Sequence, residues 1–238
     1  MAYIFGGHGP IRAGAGAPNV GFMPDANPNA IVTGASRGLG LAFAKVLTGA
    51  GWNVVTDGRS GSRLSGYMRG DITDPLHRAD LVAAVPSLEL LINNAGALGP
   101  SPLPPVSELP PEALREIFET NVIAPLALTQ LALPLLAASG GVIINLTSDA
   151  AVMAYAGWGG YGASKAALDL LGAVLGVEQE RVKVWQVDPG DVRTRMHQDA
   201  FPGEDISDRP LPSEVAPALL GLLAKRPASG RYRLADFA

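Results

Sequence analysis

The chain contains no cysteine in its 238 residues. That excludes disulfides and thiolate metal sites, and it fits a reducing cytoplasm as the place where the protein resides. Histidine is almost as scarce: three scattered residues argue against a metal centre. Charged residues are only 17% and aromatic residues 6%, while 47% are hydrophobic. A chain of this length and composition buries a sizeable core rather than staying disordered. An excess of positive charge is missing too. The net charge of -4 argues against a nucleic-acid or anionic-membrane partner. Long apolar runs are also lacking, since the longest candidate, Leu126 to Ala138, is interrupted by Thr129, Gln130 and Pro134.

Glycine and proline are plentiful, and many of them crowd into the first 29 residues. Gly6, Gly7, Gly9, Gly14, Gly16 and Gly21 mix there with Pro10, Pro18, Pro24 and Pro28. No regular period survives that mixture, and the stretch lacks the basic start and apolar run of a signal peptide. Residues 1–29 read as an N-terminal arm, either loosely docked or reaching over a pocket or a partner subunit, and 30–238 as the folded domain. From residue 30 the chain alternates. Strand candidates are 30–33, 53–56, 88–92, 141–146, 182–187 and 231–234; helix candidates are 39–50, 75–84, 111–138, 163–179 and 213–225. This alternation predicts an α/β fold: one domain of three layers, with a parallel sheet wound on both faces by helices. Two helices are apolar almost all round. Between Val122 and Ala138 only Thr129 and Gln130 are polar, and between Ala166 and Val177 only Asp169 is charged. The sheet can cover one face of each; a second subunit is the natural cover for the other. The expectation is a homodimer or homotetramer through helices 111–138 and 163–179.

The stretch Ala30-Ile31-Val32-Thr33-Gly34-Ala35-Ser36-Arg37-Gly38-Leu39-Gly40 reads as a buried strand, a glycine turn and a helix start. Glycines there let the backbone turn tightly and let a ligand approach, and the helix N-terminus offers unpaired N–H groups to a phosphate. The same residues fit Gly-x-Ser-x-Gly, the nucleophile elbow of serine hydrolases, with Ser36 as nucleophile. That alternative needs a later acid and then a histidine, and only His77 and His197 lie downstream, neither in a recognisable setting.

Tyr161 and Lys165 stand four apart at a helix start, hence on one face. An ammonium beside a phenol favours the phenolate, which would bring a group of pKa near 10 toward use at neutral pH. Read without that pairing, they are a helix-start tyrosine and a solvated lysine. Ser148 follows the apolar strand 141–146, where ligand sites of parallel sheets form; its hydroxyl can meet a substrate carbonyl or simply cap a turn. Asn121 lies four residues before Pro125. Proline has no N–H, so the Asn121 carbonyl loses its helical partner, and a local distortion is expected there.

Thr33-Gly34-x-x-x-Gly38-x-Gly40, Asn93-Asn94-Ala95-Gly96, Asn121, Ser148, Tyr161-x-x-x-Lys165 and Pro189-Gly190-x-Val192-x-Thr194 occur in this order and at matching spacings. With them the chain resembles the short-chain dehydrogenase/reductase family, in its short single-domain branch, over roughly residues 30–235. The resemblance implies a Rossmann-like fold with a nicotinamide dinucleotide across the strand ends. Gly34, Ser36, Arg37, Gly38, Leu39 and Gly40 would hold its pyrophosphate and adenine ribose. Asp71 and Ile72 would contact the adenine, and Asn94, Ala95 and Gly96 would line the riboses. Pro189, Gly190, Val192 and Thr194 would meet the nicotinamide carboxamide and phosphate. Tyr161 would be the general acid in reduction and the base in oxidation. Lys165 would bind ribose hydroxyls and lower the pKa of Tyr161. Ser148 would orient the substrate carbonyl, and the Asn121 carbonyl would hold the water of a proton relay. Members of that family often continue beyond the last strand, so the resemblance also implies a tail past residue 238.

NAD-dependent members usually carry an Asp where Gly58 stands, and its carboxylate repels a 2′-phosphate. Gly58 removes that repulsion, and Arg37 and Arg59 offer guanidinium groups to a phosphate. The expected cofactor is NADP(H) rather than NAD(H); a register that brought the Asp57 carboxylate to the ribose would reverse this. Met153, Tyr155, Trp158, Met196 and Phe201 are candidates for an apolar substrate pocket, with 195–212 as its mobile lid. The resulting expectation is an oxidoreductase interconverting a small-molecule carbonyl and a secondary alcohol. A dinucleotide-binding sensor without turnover is the alternative from another class.

Overall fold

A computed structural model describes residues 27–238. The expected arm of residues 1–29 therefore lies outside the described residues as far as residue 26. Strand β1 (Asn29–Val32) enters at once, followed by α1 (Gly38–Gly49), β2 (Asn53–Gly58), β3 (Tyr67–Arg69), α2 (Pro75–Ala83) and β4 (Leu90–Asn93). Next come α3 (Pro111–Phe118), α4 (Ala124–Ser139), β5 (Val142–Leu146), α5 (Gly159–Glu178) and β6 (Lys183–Asp188). The chain finishes with α6 (Arg195–Ala200), α7 (Pro212–Val215), α8 (Ala218–Lys225) and β7 (Gly230–Arg233). All seven strands pair in parallel, in the order β3-β2-β1-β4-β5-β6-β7. This is the doubly wound, Rossmann-like sheet that the alternation of strands and helices requires.

Burial explains why the central strands are apolar from end to end. Every residue of β1, β4 and β5 is buried, as strands covered on both faces must be. Successive side chains alternate between two cores. Ala30, Val32, Ile92, Ile144 and Trp185 pack with Phe43 and Leu47 of α1 and Leu219 and Leu222 of α8. Ile31, Leu91, Ile143 and Val184 pack with Leu81 of α2 and Leu128 and Leu136 of α4. From β1 the chain moves outward to β2 and β3, then returns to lay β4 on the other side of β1. The loops after β1 and β4 therefore part, and a crevice opens at the carboxyl ends of the strands.

Four elements differ from the sequence reading. Strand β3 has only three residues, two half-buried and one exposed, at the edge of the sheet, and it follows a Gly- and Ser-rich stretch that hides it. Helix 213–225 is two helices, because Pro217 cannot donate into a continuous one. Helix 163–179 begins at Gly159, so Tyr161 already lies inside its first turn. Helix 111–138 is interrupted by a π-helical turn over Glu119–Ile123, in which the Ala124 N–H reaches the carbonyl of Glu119. This is the distortion expected from Asn121 and Pro125. Taken together, Pro111–Ser139 is long and apolar enough by composition to cross a membrane, which Leu126–Ala138 alone did not suggest. Here Leu128, Ala132 and Leu136 are wholly buried against the sheet.

Trp185 is the largest fully buried side chain, and its indole N–H donates to the carbonyls of Pro227 (3.2 Å) and Ala228 (3.1 Å). Trp185→Ala removes that volume and both bonds. It is expected to cost about 3–5 kcal/mol of stability in denaturant titration. A loss under about 1 kcal/mol would contradict this packing.

Candidate active site

The crevice is one continuous cleft of about 1600 Å³. Its floor is the glycine turn after β1. Gly34 takes a left-handed conformation (φ +67°), and a Cβ there would lie 2.7 Å from the Ala95 Cα; only glycine fits. Thr33 ties this turn to the loop after β4. Its hydroxyl oxygen accepts the N–H groups of Asn94 and Ala95, each at 3.0 Å, while the Asn94 side-chain amide donates to the carbonyl of Thr33 at 2.8 Å. Arg37 precedes α1 in an extended conformation; no side chain caps the helix and its first turn carries no acid. The uncapped N–H groups and the positive end of the helix dipole are left to an anion in the cleft. Gly34, Ser36, Arg37, Gly38 and Leu39 line this end of it. Gly40 does not: it is buried behind the turn, where a Cβ would collide with the Asn94 amide nitrogen.

Beyond β2 the cleft wall is Gly58, Arg59, Asp71 and Ile72. The arginines at 37 and 59 are exposed. A Cβ at Gly58 would meet the Ser36 Cβ and the Tyr67 hydroxyl, each at 2.9 Å, so the position is closed to a carboxylate by shape as well as by its residue. The Asp57 carboxylate is turned inward and buried. It accepts the Gly34 N–H at 2.6 Å and contacts His77 Nε2 at 3.1 Å. Burial pushes this carboxyl up, against the opposing pull of Gly34 and His77. Asp71 accepts from the N–H (3.0 Å) and hydroxyl (2.9 Å) of Thr73, and the Thr73 N–H above all holds its carboxyl below the usual range.

At the other end, Asn94, Ala95 and Gly96 lie beside Ser148, Tyr161 and Lys165, with Pro189, Gly190, Val192 and Thr194 along the opposite lip. The Thr194 hydroxyl accepts from the His197 N–H and caps α6. Lys165 is buried, and its ammonium donates to the carbonyl of Leu146 at 2.7 Å. The ammonium lies 5.5 Å from the centre of the Tyr161 ring. Burial lowers the pKa of Lys165 to about 8, with Asp169 pulling the other way.

The expected acidification of Tyr161 is not what this geometry produces. Burial pushes its phenol up, and the carboxylates of Asp188 and Asp149 push it further. The ammonium is aimed at a main-chain carbonyl rather than at the phenol, so desolvation wins. Ser148 caps a turn, as one of its two readings has it. It faces the cleft, yet its hydroxyl also accepts from the Ala150 N–H (3.2 Å) and donates to Asp149 (2.9 Å). Asn121 does not reach the cleft. Fully buried, its side chain accepts from the Ala97 N–H at 2.7 Å and donates to Ala97 O and the Ser164 hydroxyl, each at 2.9 Å. Ser164 in turn donates to the carbonyl of Tyr161 at 2.6 Å, which links the π-helical turn to the first turn of α5.

Of the apolar candidates, Tyr155, Trp158, Met196 and Phe201 line the cleft, and Trp158 packs edge-on against Tyr161 at 5.7 Å. Met153 is exposed and is not part of the wall. Among the described residues the hydrolase alternative finds no partner: His77 is held by Asp57, and His197 on α6 has Asp191 alone within ion-pair reach. Several residues had no assigned part in the sequence reading, chiefly Asp149, Asp188 and Arg231. Asp188 precedes the Pro189-Gly190 pair and accepts the Gly190 N–H at 2.9 Å, and that adjacency was its one signal.

Comparison with known proteins agrees with this geometry. The family model for short chain dehydrogenases matches residues 28–205. The uncharacterized oxidoreductase YciK of Escherichia coli is 32% identical over 216 residues, which cover 81% of this chain and 84% of that protein. A short chain dehydrogenase of Shigella flexneri, solved as a complex with NADP, superposes with a TM-score of 0.81 at 29% identity, over 88% of this chain and 98% of that one. Another, of Escherichia coli and complexed with NADPH, gives 0.80 at 29% identity, over 88% and 97%. Seven parallel strands, the glycine turn at their switch point and the Tyr-x-x-x-Lys helix beside it are those of an oxidoreductase fold, and the chain belongs to the short-chain dehydrogenase family.

Proposed function

We propose that the protein interconverts a small-molecule carbonyl and a secondary alcohol, with NADP(H) as the hydride donor or acceptor. One observation carries the reading: Tyr161 and Lys165, a turn apart on α5, share the cleft wall with Ser148, and the same cleft runs on to the uncapped start of α1. The dinucleotide, when bound, supplies the hydride chemistry. Gly34, Ser36, Arg37, Gly38 and Leu39 would hold its phosphates, Gly58 and Arg59 its adenine ribose, Asp71 and Ile72 its adenine. Asn94, Ala95, Gly96, Pro189, Gly190, Val192 and Thr194 would border the nicotinamide half, with Gly40 serving the turn from behind.

In reduction the phenol of Tyr161 gives its proton to the carbonyl oxygen; in oxidation the phenolate takes it back. The Ser148 hydroxyl holds that oxygen after leaving Asp149. Lys165 stands behind Tyr161 as the next proton source, and its pKa of about 8 suits that duty near neutral pH. Asn121, beneath both, would anchor the relay. The cysteine-free sequence fits a cytoplasmic setting.

Three observations support NADP(H) over NAD(H): the closed Gly58 position, the inward Asp57 carboxylate, and the two exposed guanidinium groups. The NADP and NADPH complexes of the two structural neighbours agree with it. For assembly, Leu170, Val174 and Val177 form an exposed apolar stripe on α5, with Leu131 exposed on α4. A homodimer or homotetramer through these helices would cover them.

Tyr161→Phe is expected to lower turnover by about 10²–10⁴-fold on a panel of ketones and hydroxy acids, followed by cofactor absorbance, with NADPH binding nearly intact. Turnover at the wild-type rate would refute the mechanism. Replacing both Arg37 and Arg59 by Ala should weaken NADPH binding by about 10–100-fold and leave NADH binding close to unchanged; an equal loss for both cofactors would remove the arginines from the choice. Light scattering after gel filtration should give two or four subunits, and Val177→Arg should shift the mass toward one. A monomeric wild type would discard the interface.

A further inference from the structure

Arg231, on the edge strand β7, takes no part in the proposed reaction. Its guanidinium reaches three elements of the site at once. Nη2 donates to the main-chain carbonyl of Ser148 at 2.8 Å and lies 3.3 Å from the Asp188 carboxylate at the end of β6; Nε lies 3.2 Å from the Asp169 carboxylate on α5. All three partners adjoin the chemistry. Ser148 is the serine of the cleft. Asp188 also receives the Gly190 N–H and so fixes the turn into Pro189-Gly190. Asp169 sits one turn beyond Lys165 on the same helix. No lysine could make these contacts together, because only the planar fork of arginine presents several donors in fixed directions.

Resting on the oxidoreductase reading, we infer that Arg231 is the positioning residue of the site. Its guanidinium pins the Ser148 loop, the Pro189-Gly190 turn and α5 to one point, and it sets through Asp169 the charge that Lys165 carries.

The charge arrangement around the pair shows why one cation matters. Facing Lys165 are Tyr161 and Asp169 of its own helix and the Leu146 carbonyl at the end of β5. Facing Tyr161 are Asp188 on β6 and Asp149 just beyond β5. Two of these carboxylates, Asp169 and Asp188, share Arg231 as their counter-charge, and both ion pairs are partly shielded from water. With Arg231 gone, the Asp169 carboxylate faces Lys165 alone and favours the ammonium. With Asp169 gone, Lys165 loses the one charge among the described residues that favours its ammonium.

The test uses the full chain, without cofactor or substrate, labelled with ¹³C at the lysine ε carbons. The chain has four lysines, Lys45, Lys165, Lys183 and Lys225, and replacing each of the other three by Arg assigns the Lys165 signal. In the wild type that signal should inflect near 8. In Arg231→Met it should move up by about half a unit to one unit, and in Asp169→Asn it should move down. Adding Asp169→Asn to Arg231→Met should reverse the upward shift. Near-UV circular dichroism identifies the folded variants. An unmoved inflection in folded Arg231→Met overturns the inference. If that variant does not fold, an unmoved inflection in Asp169→Asn overturns it equally. Because neither cofactor nor turnover enters this titration, its failure leaves the oxidoreductase reading to be judged by Tyr161→Phe alone.

Discussion

One hydroxyl joins the two halves of the cleft. Strands β1 and β4 lie side by side, but the chains leaving them diverge, and a gap without a cross-link would leave main-chain polar groups buried and unpaired. Thr33 meets that demand by taking two N–H groups of the β4 loop on a single oxygen, and Asn94 returns a bond to the β1 turn. The floor of the cleft is therefore held by main-chain groups of fixed geometry rather than by flexible side chains. Everything that lines the cleft is referred to that seam: the glycine turn on one side, and Asn94 to Gly96 on the other.

The end of the cleft beside Tyr161 and Lys165 is organised differently, by charges placed where water is scarce. A buried lysine amine and a recessed phenol each resist carrying charge, and burial moves the two pKa values in opposite directions. Tyr161 and Lys165 are not an acidified pair waiting in readiness. Burial and the two nearby carboxylates hold the phenol above its ordinary range; in the proposed reduction that protonated form is the donor. The Leu146 carbonyl keeps the ammonium close by without spending it on the phenol.

Much of this was legible in the chain itself, for particular reasons. The central strands are buried on both faces, so their sequences are apolar throughout and easily recognised. The π-helical turn announced itself through Pro125, because a missing N–H has a definite effect four residues earlier. The short-chain dehydrogenase motifs lead to the cleft because they sit at strand ends, where topology opens a crevice. What stayed hidden depends on side chains from distant segments. Nothing near Asp57 in sequence says that its carboxylate turns inward to Gly34 and His77. Nothing around Arg231 says that it touches Ser148, 83 residues away. The rise in the Tyr161 pKa was missed for the same reason, since spacing along a helix shows which groups are neighbours but not how dry the neighbourhood is. The short edge strand β3 was lost because an edge needs few apolar residues.

The crowding at Gly58 reaches beyond its own position. Ser36 belongs to the glycine turn after β1 and Tyr67 to the neighbouring strand, and both press on the space where a side chain would begin. An acidic residue could not be introduced there without first trimming Ser36 or displacing the Tyr67 ring. The shape of the cleft wall at this point is thus a property of three residues, Gly58, Ser36 and Tyr67, on separate segments. An attempt to redesign it, in the laboratory or over generations, would have to alter them in concert.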